Sequence, residues 1–307
     1  MTMFSPSLPT LQIAWDSSSL QVLKTCPRKY QYQYITQRRA KGSNIHLAFG
    51  SAYHKALEIY DHHRALGANN NDAVLEAISF SLSFPFTHED DPNKNRETLT
   101  RTVAWYLEQF RDDVCETVIL DNSKPAVELS FKLELEQIPN RTPEGEPFLL
   151  CGHLDRLVNF QDSYYFLDRK TTKGTLSQSY FQQFSPNNQM SIYYFASNII
   201  LPSGIAGGII DAAQIGVGFS RFARSFVFRS PEQIEEFIGD LSYYIGMANF
   251  YAQQNYWPMN DKACGDYGGC EYQGVCSKSP SIRDAFLSDN GQFISSLWNP
   301  LEIRGDI

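Results

Sequence analysis

Residues 151–172, CGHLDRLVNFQDSYYFLDRKTT, constrain this chain more than any other stretch. They alternate as two short strands about a turn centred between Gln161 and Asp162, so antiparallel partners have residue numbers that sum to about 323 and Asp155 faces Asp168. Lys170, two residues on, shares that face. Like charges directly opposite one another destabilise a sheet unless a cation lies between them, so the hairpin is a candidate metal site. A slip of two residues makes the acids diagonal neighbours, and a slip of one puts them on opposite faces.

The flanking patterns supply the rest of the architecture. Asp16 or Ser17 suits an N-cap for a helix that Pro27 starts or kinks, and residues 48–63, 73–84 and 97–112 have helical spacing. From Ala126 the period changes to two: AVELSFKLELEQI reads as a half-buried strand, and NRTPEGE as the turn leading to the hairpin. Residues 181–200 return to helical spacing, with Ser185 and Pro186 as cap and first turn. Residues 206–218 and 219–229 read as two more strands and residues 231–255 as a long amphipathic helix. The expected fold class is α+β, a central mixed β-sheet flanked by helices. It comprises a helical N-terminal part (17–125), a catalytic core (126–230) and a helix with a cysteine-rich segment (231–280), all in one domain of 307 residues.

No apolar run reaches the roughly 18 residues that cross a bilayer, and the N-terminus lacks the pattern of a secretory signal, so the expected location is cytoplasmic and without membrane contact. In that compartment six cysteines suit metal ligation or core packing better than disulfides. The formal net charge of −8 argues against a surface coated for nucleic acid, yet residues 17–57 contain no Asp or Glu. They hold Arg28, Lys29, Arg38 and Arg39 among Tyr30, Tyr32 and Tyr34, a local pattern suited either to tracking a nucleic-acid backbone or to a solvated basic helix face.

Two acids and a lysine on adjacent strands are what divalent-metal phosphodiester hydrolysis requires: oxygen ligands hold the ion, and the lysine positions or activates water. The ordered set GSAYH, VELSF, GHLDRL, FLDRKTT and QMSIY resembles the RecB-like branch of the PD-(D/E)XK nuclease superfamily over nearly the whole chain. The resemblance implies a restriction-endonuclease-like fold. It implies that Mg²⁺ or Mn²⁺ binds at His54, Asp155 and Asp168, with the Arg169 carbonyl as a further ligand although a hydrophobic residue or tyrosine is commoner there. Lys170 takes the place of the catalytic lysine, Gln189 and Tyr193 match a Q-x-x-x-Y element that orients substrate or lysine, and Glu128 matches a glutamate seen in relatives. His54 otherwise suits a core histidine, and His153 is a rival ligand two residues before Asp155.

Cys264, Cys270 and Cys276 are evenly spaced, with Cys26 far away before Pro27. One early and three late cysteines resemble the iron–sulfur staple of RecB-like exonucleases, the AddB nuclease domain and CRISPR-associated RecB-like exonucleases, which implies a [4Fe-4S] cluster that clamps the chain ends. Those relatives commonly have a shorter gap between the first two late cysteines, and zinc is the competing occupant. Cys115 and Cys151 read as core.

The expected activity is a metal-dependent DNA nuclease, an exonuclease preferring single-stranded DNA or free ends, in bacterial or phage replication, recombination or repair. The alternatives are a non-cleaving iron–sulfur DNA-binding subunit for a partner helicase or recombination protein, and a structure-specific or RNA-directed endonuclease.

Overall fold

The computed structural model describes residues 3–42, 45–86, 91–289 and 291–302. Its elements in chain order are β1 (Ala14–Trp15), α1 (Ser17–Thr25), α2 (Pro27–Tyr30), β2 (Arg38–Ala40), α3 (Ile45–Ala65), α4 (Asn70–Ser83), α5 (Arg96–Gln109), β3 (Glu116–Thr117) and β4 (Val127–Glu134). There follow β5 (Leu149–Phe160), β6 (Ser163–Thr172), α6 (Gln178–Gln182), α7 (Asn188–Ile200), β7 (Gly207–Gly216), β8 (Phe219–Val227), α8 (Pro231–Gln253), α9 (Gln273–Cys276), α10 (Arg283–Asp289) and β9 (Phe293–Ser295). The described chain groups into two compact units, one from residues 3–42, 131–152 and 231–302, the other from described residues within 45–130 and 153–230.

The second unit is a mixed sheet flanked by helices. β6 is antiparallel to β5 and parallel to β7, and β7 is antiparallel to β8. β7, GGIIDAAQIG, is buried along its whole length, as expected of a strand covered on both faces. Small side chains there leave room for large neighbours: a Cβ at Gly208 would fall 2.0 Å from the Phe166 ring. Helices α3 and α5 pack Phe49, Tyr53, Leu57, Leu99, Val103 and Tyr106, with Ala77 of α4, in one cluster with Ala213 and Ile215 of β7.

The β5–β6 hairpin has the expected register: Phe160 pairs Ser163, and the ladder continues to Arg156 with Leu167, so the next step sets Asp155 across from Asp168. The turn is fixed by Gln161 and Asp162, both at positive φ (51° and 60°), the geometry of a two-residue turn that matches strand twist. The opposite face of the hairpin carries charge as well. Arg169 is 2 % exposed and its guanidinium donates to Asp61 of α3. Arg156 lies 3.5 Å from the other oxygen of the same carboxylate and also donates to the Cys115 carbonyl at 2.7 Å. Arg224 of β8 closes the network on Asp113 and Asp211 at 2.7 and 3.1 Å. Three guanidinium groups are thus matched by three carboxylates, the condition under which such burial is tolerated.

In the first unit Asp16 caps α1, accepting from the Ser19 N–H, and the chain breaks at Cys26 before Pro27 opens α2. β1 pairs in parallel with the first residues of β5, and β2 pairs with β9. Two expectations need correction. The helix assigned to 181–200 starts at Asn188, because the Asn187 side chain accepts from Met190 N–H and caps it; Ser185 and Pro186 precede the cap. The strand assigned to 126–138 ends at Glu134 and does not alternate cleanly, because Glu128 has φ 48° and interrupts the pleat.

Removing Asp61 leaves two buried guanidinium groups without their shared partner. Asp61→Ala is therefore expected to lower the unfolding free energy by about 3–5 kcal/mol in urea titration. Deleting the exposed Arg141–Glu136 pair should change it by about 0–1 kcal/mol.

Candidate metal and catalytic site

Three ligand-type side chains converge in the second unit: His54 from α3, Glu128 from β4 and Asp155 from β5 each place one ligand atom within 4.8 Å of the others. His54 Nδ1 is 3.3 Å from Asp155 Oδ2. Burial disfavours the imidazolium, but the Asp155 carboxylate outweighs it and the net shift of His54 is upward. Burial also opposes charge on Asp155, yet His54, Lys170 and the backbone N–H of Arg169 together hold its carboxyl down at about 2. That N–H donates to Asp155 Oδ2 at 2.7 Å. Glu128 is pushed up to about 7, first by burial and then by the charges of Asp155 and Glu58.

Asp168 lies on β6, 1 % exposed, in a different pairing. Lys170 Nζ donates to Asp168 Oδ1 at 2.9 Å and lies 2.7 Å from Oδ2, which is buried and accepts no aligned hydrogen bond. Burial raises the Asp168 pKa, with Lys170 pulling the other way. The lysine also donates to Gln189 Oε1 at 3.0 Å, and Gln189 Nε2 donates to the Tyr193 hydroxyl at 3.0 Å. Gln189 and Tyr193 share one face of α7, one turn apart, and Tyr193 meets the Phe166 ring edge-on at 5.8 Å. Asp168, Lys170, Gln189 and Tyr193 thus form one polar chain between β6 and α7.

The Arg169 guanidinium turns away from these groups toward Asp61, and its backbone N–H is the part that meets Asp155. His153 Nδ1 pairs with Ser130 Oγ at 2.9 Å. Two neighbours of the site went unread in the sequence, Glu58 and Asp61, both buried on α3 at 8 % and 3 % exposure. Their signal was present: His54, Glu58 and Asp61 recur at helical spacing along the side where Leu57 and Tyr53 are buried, a stripe where acids are out of place.

The donor set fits a hard divalent cation. One imidazole and two carboxylates gather at a single point, Glu128 has no lysine or arginine within 4.0 Å among the described residues, and a buried Asp168 oxygen lacks an aligned donor. A family model of the PD-(D/E)XK nuclease superfamily matches residues 15–277. The chain belongs to the PD-(D/E)XK nuclease superfamily. As a member it has the fold that the motif order implied, restriction-endonuclease-like α+β. A solved structure named "putative exonuclease" from Eubacterium rectale is similar at 10 % identity and TM-score 0.51, over 89 % of this chain and 92 % of that one, a likeness of fold alone. The structure of SSO0001 matches at 11 % identity over 76 % of each chain with TM-score 0.34. No curated protein matches the chain. Among the described residues no helix is long and apolar enough to cross a membrane.

The four predicted cluster cysteines lie in the first unit, all unbridged. Asn260 links the early one to the late ones: its N–H donates to Cys26 Sγ at 3.4 Å, and Cys264 Sγ lies 4.0 Å from its carbonyl oxygen. Cys270 N–H donates to the Cys264 carbonyl at 2.9 Å. Burial raises the Cys276 thiol, with Arg28 and Arg283 opposing and Cys26 and Cys270 adding to the rise; Cys264 is raised by burial and then by Cys270 and Cys26. Each of these two late thiols therefore senses both Cys26 and Cys270. Of the predicted phosphate-tracking residues, Arg28 donates to the Trp257 carbonyl at 2.7 Å, while Arg38 and Arg39 lie on β2, paired with Ser295 and Ile294. Lys29 is half-buried on α2.

Titrating metal-free protein with Mn²⁺, followed by electron paramagnetic resonance, is expected to show binding weakened at least about tenfold in Glu128→Gln and in His54→Ala. Tyr193→Phe should bind as the parent does. Unchanged binding in the first two would place the cation elsewhere.

Proposed function

We propose that the protein is a divalent-metal-dependent DNA exonuclease acting on single strands or free ends in replication, recombination or repair. The observation that carries the proposal is the adjacency of two sets in one unit: the His54–Glu128–Asp155 constellation, and the Asp168–Lys170–Gln189–Tyr193 chain on the strand paired to Asp155. His54, Glu128 and Asp155, with Asp168 beside them, would hold Mg²⁺ or Mn²⁺. When bound, the ion supplies Lewis-acid polarisation of the phosphate and its water.

The protein's own groups do the positioning. An ammonium has three N–H donors; Asp168 and Gln189 occupy two of those on Lys170, and the third is left for water or a phosphate oxygen. With its side chain 26 % exposed, Lys170 is reachable from solvent while its aim is fixed from behind. Such a preset donor stabilises the charge that develops on phosphoryl oxygens without reorganising at the moment of reaction. Tyr193 acts one step further out, holding the Gln189 amide so that its oxygen faces the lysine. The Arg169 N–H fixes the Asp155 carboxylate in the same way, whatever the Arg169 side chain does.

Cys26 and Cys264 meet the Asn260 backbone from distant parts of the sequence, and together with Cys270 and Cys276 they would be the thiolates of a [4Fe-4S] cluster. Its contribution would be a covalent-like tie between residue 26 and the 264–276 segment, which makes loss of the cluster a folding defect.

End-labelled and circular single-stranded DNA, incubated with anaerobically purified protein and Mg²⁺, Mn²⁺ or EDTA, test the activity. Metal-dependent shortening of linear DNA with circles intact is expected, and Lys170→Ala or Asp168→Ala should reduce it by about 10²–10³-fold while DNA binding persists. Cutting of circles would make it an endonuclease, and binding without cutting would make it a non-cleaving subunit. The same preparation should be brown, with iron and acid-labile sulfide that disappear in Cys26→Ser; a colourless protein with stoichiometric zinc would replace the cluster by a zinc site.

A further inference from the structure

A second polar group lies at the end of β6, beyond the residues already assigned. Lys94, in the loop before α5, is 2 % exposed. Its ammonium stands 4.4 Å over the Phe49 ring and 3.5 Å from Thr171 Oγ1. Neither partner neutralises it, and among the described residues no carboxylate comes within 4.0 Å of it. A buried lysine without a counter-ion is costly.

Asp91, whose charge acts on Lys94, is otherwise engaged. Asp91 Oδ1 accepts the backbone N–H groups of Asn93 and Lys94 at 2.8 Å each, and its Oδ2 is 3.2 Å from Lys173 Nζ. Lys94 is pushed down to about 8, by burial first and then by Lys173, with Asp91 opposing. His46 is lowered by burial and then by Lys173 and Lys94. Basic groups from α3, the loop before α5 and the segment after β6 therefore meet at one spot, where the charges of the neighbours lower His46 and Lys94 and an incoming anion would oppose that lowering. Lys173 is exposed, so the spot has an open side.

Its position relates it to the proposed chemistry. Thr171 directly follows Lys170, with its Cα about 3.8 Å further along the chain. α3 passes alongside: a Cβ at Gly50, one turn before His54, would lie 3.7 Å from Thr171 Oγ1. The group thus touches both elements that carry the candidate site, from the face of β6 that Thr171 shares with Arg169.

We propose that Lys94, Thr171 and Lys173 form a phosphate subsite that holds a backbone phosphate of the nucleic-acid strand. The proposal rests on the nuclease function proposed above. The phosphate has two sources, an internal diester or a terminal monoester, and both present the oxygens that two ammonium groups and a hydroxyl recognise.

Lys94→Met keeps the apolar stem and a favourable contact with Phe49 while removing the charge, and Lys94→Arg restores the charge. Binding of full-length protein to fluorescent single-stranded oligonucleotides in EDTA, followed by anisotropy from low to moderate salt, should weaken about tenfold in Lys94→Met. The slope of log Kd against log salt should fall by about 0.7, the value for one phosphate contact on a single strand, and recover in Lys94→Arg. Equal losses with 5′-phosphate and 5′-hydroxyl oligonucleotides assign an internal diester; a loss confined to the 5′-phosphorylated one assigns the terminal monoester. Inorganic phosphate should raise the Tm of the parent above that in chloride at equal ionic strength, and not that of Lys94→Met. If affinity, slope and phosphate response are the same in Lys94→Met and parent, the subsite does not exist. If the phosphate response is lost in the variant but the parent neither binds nor cuts nucleic acid, the subsite stands and the nuclease function falls.

Discussion

Two aspartates facing each other on neighbouring strands repel, and the chain around them is arranged to hold them there. Each is followed by an arginine, Leu-Asp-Arg at 154–156 and again at 167–169. Strand alternation sends the acids to one face and the arginines to the other. On that reverse face Asp61 takes one guanidinium with each of its oxygens. A single carboxylate on α3 thereby ties β5 to β6 at the residues where the front face pushes them apart. The helix that supplies it carries His54 two turns earlier, so one anchor holds the two strands together and sets the position of α3 against them. The strength of the tie comes from burial: an ion pair that contributes little at a surface becomes, once dehydrated, a contact whose loss strands charge in the interior.

That arrangement explains which parts were legible beforehand. The register of the hairpin follows from a turn that tolerates φ > 0 at Gln161 and Asp162 and from strict alternation on either side, both local properties. The helices of the second unit and the strands 207–216 and 219–227 also announce themselves by period. The illegible parts depend on contacts distant in sequence or on one exceptional dihedral. β1, β2 and β9 are two or three residues long and exist through partners far along the chain. Asp61 stands out on the buried stripe of α3, but its partners Arg156 and Arg169 lie far along the chain and carry no matching signal. Glu128 reads as an exposed strand acid because period two sends it outward; φ 48° redirects it toward His54 and Asp155. Backbone outliers of this kind persist where surrounding structure holds them, and they concentrate at functional sites.

The cysteines show the same division. Their count and spacing, and through the resemblance the expected tie of residue 26 to the late segment, were readable; the part played by the Asn260 backbone between Cys26 and Cys264 was not, because it has no composition signal. Closing a loop of more than two hundred residues costs chain entropy that grows only slowly with length, so packing of Trp257 on Tyr30, at 5.2 Å, and the Arg28 contact with the Trp257 carbonyl can prepare the closure before any cluster is present. A prosthetic group would then strengthen a closure that the aromatic contacts had already made.

The charges at the front face point to where a cation would sit. Glu58, Glu128, Asp155 and Asp168 bring four carboxyl groups into one neighbourhood. Lys55 reaches Glu58 at 2.7 Å, His54 reaches Asp155 at 3.3 Å and Lys170 reaches Asp168 at 2.7 Å. Glu128 alone of the four has no such partner among the described residues, and it is raised to about 7. Burial is the larger cause and the charges of Asp155 and Glu58 the second, so relief must come from a cation that approaches Glu128 and Asp155 together. A monovalent side chain that did so would need to displace His54 or borrow Lys170, undoing a pair the site already makes. A divalent ion held by His54, Glu128 and Asp155 would supply that relief and leave Lys170 its hydrogen bonds to Asp168 Oδ1 and Gln189 Oε1, and with them its aim.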